Sequence, residues 1–186
     1  MDIDDIMLDS EDRMEKSVQA FREQLIRVRS GKASVGLLDG IKVNLYGTEM
    51  GLKQCANLLT PEARLIVIQP YDKNAIPAIE KAILTANLGL NPVNDGMVVR
   101  VSIPVLTEER RRELVKLVHK YAEESRTAIR QIRRQANEQV KQNQKDGQIP
   151  EDEMYRVLEE IQEMTDDHVK KIDEIMEEKE REIMEI

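Results

Sequence analysis

Residues 108–145 read EERRRELVKLVHKYAEESRTAIRQIRRQANEQVKQNQK, a stretch with neither glycine nor proline. Leu114, Val118, Tyr121, Ser125, Ala128 and Ile132 recur at spacings of four and three, which predicts one helix with a single apolar seam. Thr107 is placed to cap its start, and Glu108 and Glu109 suit the positive end of the macrodipole. Lys141 and Lys145 lead to a stop at Asp146-Gly147. At about 1.5 Å of rise per residue such a helix would be roughly 57 Å long, more than an ordinary globular helix.

The flanking sequence supplies two partners for that seam. From Met14 the residues Met14, Val18, Phe21, Leu25 and Val28 lay one stripe on a helix of about five turns. A third helix starts near Pro150, with Glu151, Asp152 and Glu153 in its first turn, and carries Leu158, Ile161, His168, Ile172 and Ile175. Helices with one apolar stripe are not stable singly, so the three are expected to pack as a bundle.

Between the first and second helix the period changes. IKVNLYG (41–47) alternates, while ARLIVIQP (63–70) and GMVVRVSIP (96–104) are apolar runs rich in β-branched residues, and all three predict strands. One helix interrupts them, starting near Asn74 with Pro77 in its early turns, bearing Ile79, Ile83 and Leu84, and stopping at Gly89. NPVNDG (91–96) reads as a turn. The expected fold class is therefore α+β: an elongated three-helix bundle (1–30 and 105–186) with a small β/α/β domain (31–104) inserted between helix 1 and helix 2. The two crossings, Ser30-Gly31 and Ile103-Pro104-Val105-Leu106, are short enough to act as a hinge.

Composition sets limits on function. The lone Cys55 excludes an intramolecular disulfide and fits a reducing cytoplasm. No apolar run approaches the ~20 residues of a membrane helix, and the acidic N-terminus lacks the apolar core of a signal peptide. The net charge is −8, but its distribution is uneven. Residues 106–145 hold 11 basic against 6 acidic side chains, and residues 146–186 hold 5 against 16. On a helical wheel with Arg126 at zero, Leu114, Tyr121, Ala128 and Ile132 fall between about 200° and 240°, and Arg126, Arg130, Arg133 and Arg134 between about 340° and 80°. The arginines are thus expected to point away from the core, on a face that also carries Arg112, Lys116, His119 and Lys141 and is interrupted by Glu123. A charged helix face ordinarily serves solubility. Here the cations are mainly arginines, whose planar forks suit phosphate, and the balancing acids sit on another helix, so RNA or an acidic partner is the sharper expectation.

The segments VRSGKAS and LLDGI within 28–41, LGLNPVNDG (88–96), LTEERRRELVK (106–116), IRQIRRQAN (129–137) and the tail KEREIMEI (179–186) resemble the ribosome recycling factor family, in the right order and over nearly the whole chain. The resemblance implies a three-helix domain and a β/α/β domain joined at a flexible elbow, L-shaped overall with dimensions similar to a tRNA. It also implies that the chain binds the bacterial ribosome after termination and, with elongation factor G and GTP hydrolysis by that partner, splits it into subunits. Carried over by position, the ribosomal-RNA contacts are Arg29, Arg111, Arg130, Arg133 and Arg134, with Arg133 foremost. Lys32 stands where the family commonly has arginine and would serve as a point charge; Arg126 joins the set from the wheel. The crossings make Ser30, Gly31, Ile103, Pro104 and Val105 the expected hinge residues, where the resemblance implies an elbow.

Other chemistry finds little support. SGKAS (30–34) lacks the first glycine and the Ser/Thr of a phosphate loop and follows a helix instead of a strand. His119 and His168 have no metal-ligand partner at helical spacing, and His168, on an apolar stripe, reads as a packed histidine. No nucleophile stands beside a base. We therefore expect no enzyme activity, cofactor or metal, a monomer, and no DNA or membrane partner. The alternative from another class is a helical scaffold whose coiled coil binds acidic proteins.

Overall fold

The computed structural model describes residues 2–185; Met1 and Ile186, the last residue of the KEREIMEI tail, lie outside the described residues. The chain is α+β and divides into two compact units, 1–28 with 109–186, and 29–108.

The first unit is built from α1 (Ile3–Ile26), α4 (Glu108–Lys145) and α5 (Glu151–Met184). α1 begins well before Met14. The Asp2 side chain caps it by accepting from the Asp5 amide, and Asp4 and Asp5 occupy its first turn, where negative charge favours the helix dipole. Ile6 and Ser10 extend the buried stripe towards the N-terminus; the Ser10 hydroxyl is satisfied by the Ile6 carbonyl at 2.6 Å. Phe21, Met14 and Val18 are fully buried in the same row. Ile6 packs with Ala136 and Val140 of α4 and with Met154, Val157 and Ile161 of α5, closing one end of the bundle.

α4 runs to Lys145 and stops as expected at Asp146-Gly147. Gly147 takes a positive φ of 72°, its amide bonds the Gln144 carbonyl and the Gln148 amide bonds that of Asn143, the paired pattern of a Schellman turn. The buried residues of α4 are Leu114, Val118, Ala122, Ile129, Ile132, Ala136 and Val140. On the wheel they occupy an arc of about 240° to 320°, rotated about 60° from the seam expected from Leu114, Tyr121, Ala128 and Ile132. Tyr121, Ser125 and Ala128 are only half-buried. α4 touches two helices along different lines, so its core face is an arc whose centre lies between them. On α5, His168 is buried, as a packed histidine: its Nδ1 lies 2.7 Å from the Met164 carbonyl and its Nε2 3.4 Å from Glu15 of α1.

The second unit has a hairpin of β1 (Lys42–Leu45) and β2 (Thr48–Gly51), a four-residue α2 (Leu52–Cys55), and α3 (Ile76–Thr85). A four-stranded antiparallel sheet in the order β3-β4-β6-β5 is formed by β3 (Ala56–Glu62), β4 (Leu65–Pro70), β5 (Pro92–Asn94) and β6 (Val99–Ser102). Alternation along β4 and β6 sends Ile66, Ile68, Val99 and Val101 into the core with Ile76, Ile79 and Ile83 of α3. The hairpin turn is Tyr46-Gly47, both at positive φ.

The structure departs from the sequence pattern at several points. β2, β3 and β5 add to the three predicted strands; β3 is obscured by Pro61 and a register irregularity between Leu59 and Glu62. PVN of the predicted turn is β5, and the turn itself spans residues 95–98. α3 ends at Thr85, not Gly89, because Asn87 takes the left-handed position (φ 52°) and bonds back to the Leu84 carbonyl. Leu84 is exposed instead of buried. Cys55 is buried, which pushes its thiol pKa up and disfavours the thiolate.

The β5–β6 turn carries the most displaced carboxyl. The Val98 and Met97 amides, and then the Arg100 guanidinium, bond Asp95 and lower its pKa from 3.8 to about 2. A depressed carboxyl stabilises the fold above its ordinary value and loses that contribution as the pH falls through the folded value. Asp95→Ala should therefore melt lower than the parent at neutral pH, and the gap should close between about pH 4 and pH 2. A gap that stays constant across that range in thermal melts would refute the role given to Asp95.

Candidate nucleic-acid interface

The rotation of the core arc decides what each cation on α4 can do. Arg126, at zero on the wheel, and Arg133, at about 340°, lie at the edge of the arc beside α5; Arg130 and Arg134, at about 40° and 80°, lie outside it.

Arg126 departs from the expected outward-facing role. Its side chain is only 18% exposed and turned onto α5, where Nε and Nη2 reach Asp173 Oδ1 at 2.8 and 2.5 Å, while Nη1 reaches Glu123 at 3.0 Å. Burial opposes its charge, but the bonds to Asp173 and Glu123 outweigh this and raise its pKa. A guanidinium held by two carboxylates is neutralised inside the bundle and unavailable to a polyanion. Arg130 shares Glu123 with it, at 3.0 Å, but both members of that pair are about half exposed. Bonds from Arg126 and then Arg130 hold the Glu123 carboxyl below its usual range. Water-exposed pairs of this kind contribute little, so a phosphate can replace Glu123 as the partner of Arg130.

Arg133 and Arg134 are different. Arg133 Nη1 donates to the Gln162 amide oxygen at 3.1 Å, a neutral acceptor, and has no ion pair among the described residues. Arg134 is exposed and has neither a hydrogen bond nor an ion pair among the described residues. Lys116 and Lys141, also exposed, fall in the same sector as Arg130 and Arg134. His119 is exposed on this face as expected and lies 3.0 Å from Glu180 of α5. Arg111 falls at about 300°, within the core arc, and is half-buried with its Nε unpartnered and shielded from water.

In the second unit, Arg29 is exposed and gives one guanidinium N–H to the Leu88 carbonyl. Lys32 is exposed. Gly31 between them takes a φ of 77°, a conformation that favours glycine.

Net positive charge and unpaired planar forks are suited to phosphate oxygens, for which each arginine supplies up to two parallel N–H bonds. Asp and Glu dominate the exposed surface of α5, so an approaching polyanion is repelled from that side and admitted on the α4 side. Among the described residues no group of His, Cys, Asp and Glu could hold a metal ion, and no helix is long and apolar enough to cross a membrane.

Comparison with known proteins places the chain in a family. The ribosome recycling factor family model matches residues 21–184. The ribosome-recycling factor of Geobacillus kaustophilus (strain HTA426) is 51% identical over 181 residues, covering 97% of this chain and 98% of its own. That of Nitratidesulfovibrio vulgaris (strain DP4) is 50% identical over 186 residues, the full length of both. A solution structure of the ribosome recycling factor superposes with a TM-score of 0.80 at 44% identity, covering 100% of this chain and 99% of its own. A second match, from models of the T. thermophilus ribosome recycling factor and the E. coli elongation factor G bound to the E. coli post-termination complex, gives a TM-score of 0.68 at 42% identity, over 99% of this chain and 100% of that one. On sequence, on fold and over its whole length, the chain belongs to the ribosome recycling factor family.

Proposed function

We propose that this protein is a cytoplasmic translation factor that binds the post-termination ribosome and, with elongation factor G and GTP hydrolysis by that partner, splits it into subunits. The observation that carries the reading is the pair Arg133 and Arg134, whose charge no carboxylate among the described residues offsets. They are the leading contacts to ribosomal RNA phosphates, with Arg130 recruited by exchange from Glu123. Arg29, Lys32 and Arg111 are secondary contacts, and Arg126 serves the bundle instead.

The factor does this as a displacing body and not as an enzyme. The work comes from the partner's GTP hydrolysis, and this chain supplies an anchored helix and a second unit tethered by two short crossings. Ser30-Gly31 and Pro104-Val105 serve as the hinge. Ile103 lies at its edge, because its amide bonds the Arg64 carbonyl at 2.9 Å and ties it to the sheet. The acidic α5 keeps the protein oriented by repulsion from RNA. The protein acts as a monomer, since all three helical stripes are used within one chain.

Two predictions separate the roles of the arginines. Arg133→Ala or Arg134→Ala should weaken binding to purified ribosomes roughly tenfold at about 0.1 M salt and flatten the log-log salt dependence by about 0.7–0.9 for each phosphate that no longer has a cation against it. Subunit splitting should slow while the melting temperature stays unchanged. Unaltered cosedimentation and splitting by the double variant would sink the assignment. Arg126→Ala should do the opposite, lowering stability by about 1–3 kcal/mol because Asp173 is left without its partner at a partly buried site, with little change in salt slope. Chemical denaturation beside the same binding titration checks it.

A further inference from the structure

Polar groups of α5 meet basic side chains of α4: among the described residues Glu180 faces His119, Asp173 faces Arg126, and Gln162 faces Arg133. Glu180 and Asp173 are carboxylates and Gln162 is a neutral amide, on a helix whose exposed surface is otherwise dominated by Asp and Glu. A glutamate at position 162 would hold Arg133 more strongly, as Asp173 holds Arg126, and would cancel its charge. An amide oxygen orients the guanidinium and leaves it cationic.

The amide is itself oriented. Gln162 Nε2 donates to Asp166 Oδ1 at 2.8 Å, one turn further along α5. With the NH₂ group committed to Asp166, the carbonyl oxygen must point the other way, to Arg133 Nη1 at 3.1 Å. Arg133 has five N–H donors and one is used here, so Nε and Nη2 remain for a bidentate phosphate contact. A long flexible side chain held in place by packing and one bond loses less rotamer freedom when its ligand arrives.

We infer that Gln162, oriented by Asp166, is a positioning residue that pre-sets Arg133 for RNA phosphate without neutralising it. The inference rests on Arg133 being a phosphate contact. Gln162 itself touches no RNA in this scheme; it acts through the arginine.

The test uses the full-length protein and purified ribosomes, with equilibrium binding measured across about 50–200 mM salt for the parent, Gln162→Met, Gln162→Glu, Arg133→Ala and the double variant Arg133→Ala/Gln162→Met. Gln162→Met keeps the length of the side chain and removes the acceptor; it should weaken binding roughly three- to tenfold with an unchanged salt slope, since the charge remains. Gln162→Glu should pair with Arg133, weaken binding at least as much, and flatten the slope by about 0.7–0.9, as Arg133→Ala does. In the Arg133→Ala background, Gln162→Met should change affinity less than about twofold. The salt slope does not depend on the fraction of protein folded, so a loss of stability cannot imitate the glutamate result. If Arg133→Ala weakens binding while both Gln162 variants bind like the parent, the positioning role is wrong and the phosphate contact stands. If Arg133→Ala binds like the parent, both are wrong. An undiminished effect of Gln162→Met without Arg133 would show that Gln162 acts by another route and overturn the proposal.

Discussion

α4 has to satisfy two helices at once, and this requirement governs the rest of the protein. Its buried residues from Leu114 to Val140 spread over an arc of about 80° because α1 and α5 press on it along separate lines. The arc leaves a limited sector for solvent. Cations near its α5 edge are drawn into the bundle or held against it, and beyond it Arg130 is paired only in water while Arg134 has no hydrogen bond or ion pair among the described residues. The distribution of usable charge on the protein thus follows from helix packing before any ligand is considered.

The consequence is a graded series along one helix. Arg126 meets two carboxylates, Arg130 meets one in water, Arg133 meets a neutral amide, and Arg134 meets nothing among the described residues. The four residues look alike in sequence and differ in availability through what stands opposite them on α5 and at Glu123. Segregating acids onto α5 could have neutralised the whole face. It does not, because the α5 group that faces Arg133 is the neutral amide of Gln162.

Much of this was legible in the sequence. Heptad-like spacing disclosed the three long helices, and the change to β-branched runs disclosed the inserted unit. The Asp146-Gly147 stop was readable because only glycine takes the left-handed turn there without strain. What escaped was set by tertiary contact or by polar residues in apolar positions. Ser10 interrupts the stripe of α1 and hides its first half, although Asp2, Asp4 and Asp5 were the signal of a capped start. Pro61 and the irregular register hide β3. At the end of α3, Asn87 preceded Gly89 in taking the left-handed position, which asparagine tolerates well enough to compete. The burial of Arg126 could not be read from a two-line seam, because a four-three spacing fixes a line while a helix between two neighbours buries an arc. Asp173 and Glu123 are among many acids in the sequence, and nothing local marks those two as its partners.

The helical unit is discontinuous in the chain, since α1 precedes residues 29–108 and its companions follow them. During synthesis α1 leaves the tunnel with no neighbour to cover Ile6, Met14, Val18 and Phe21, and it must wait while about eighty further residues are made and fold on their own. An interval of that kind invites misassociation. The Asp2 cap and the one-turn ion pairs of Asp9 with Arg13 and Asp12 with Lys16 favour the nascent segment as a solvated helix before its partners arrive. Its acidic first turns, which contribute nothing to the cationic face, then act as a solubilising handle for an orphaned segment until its companions are made.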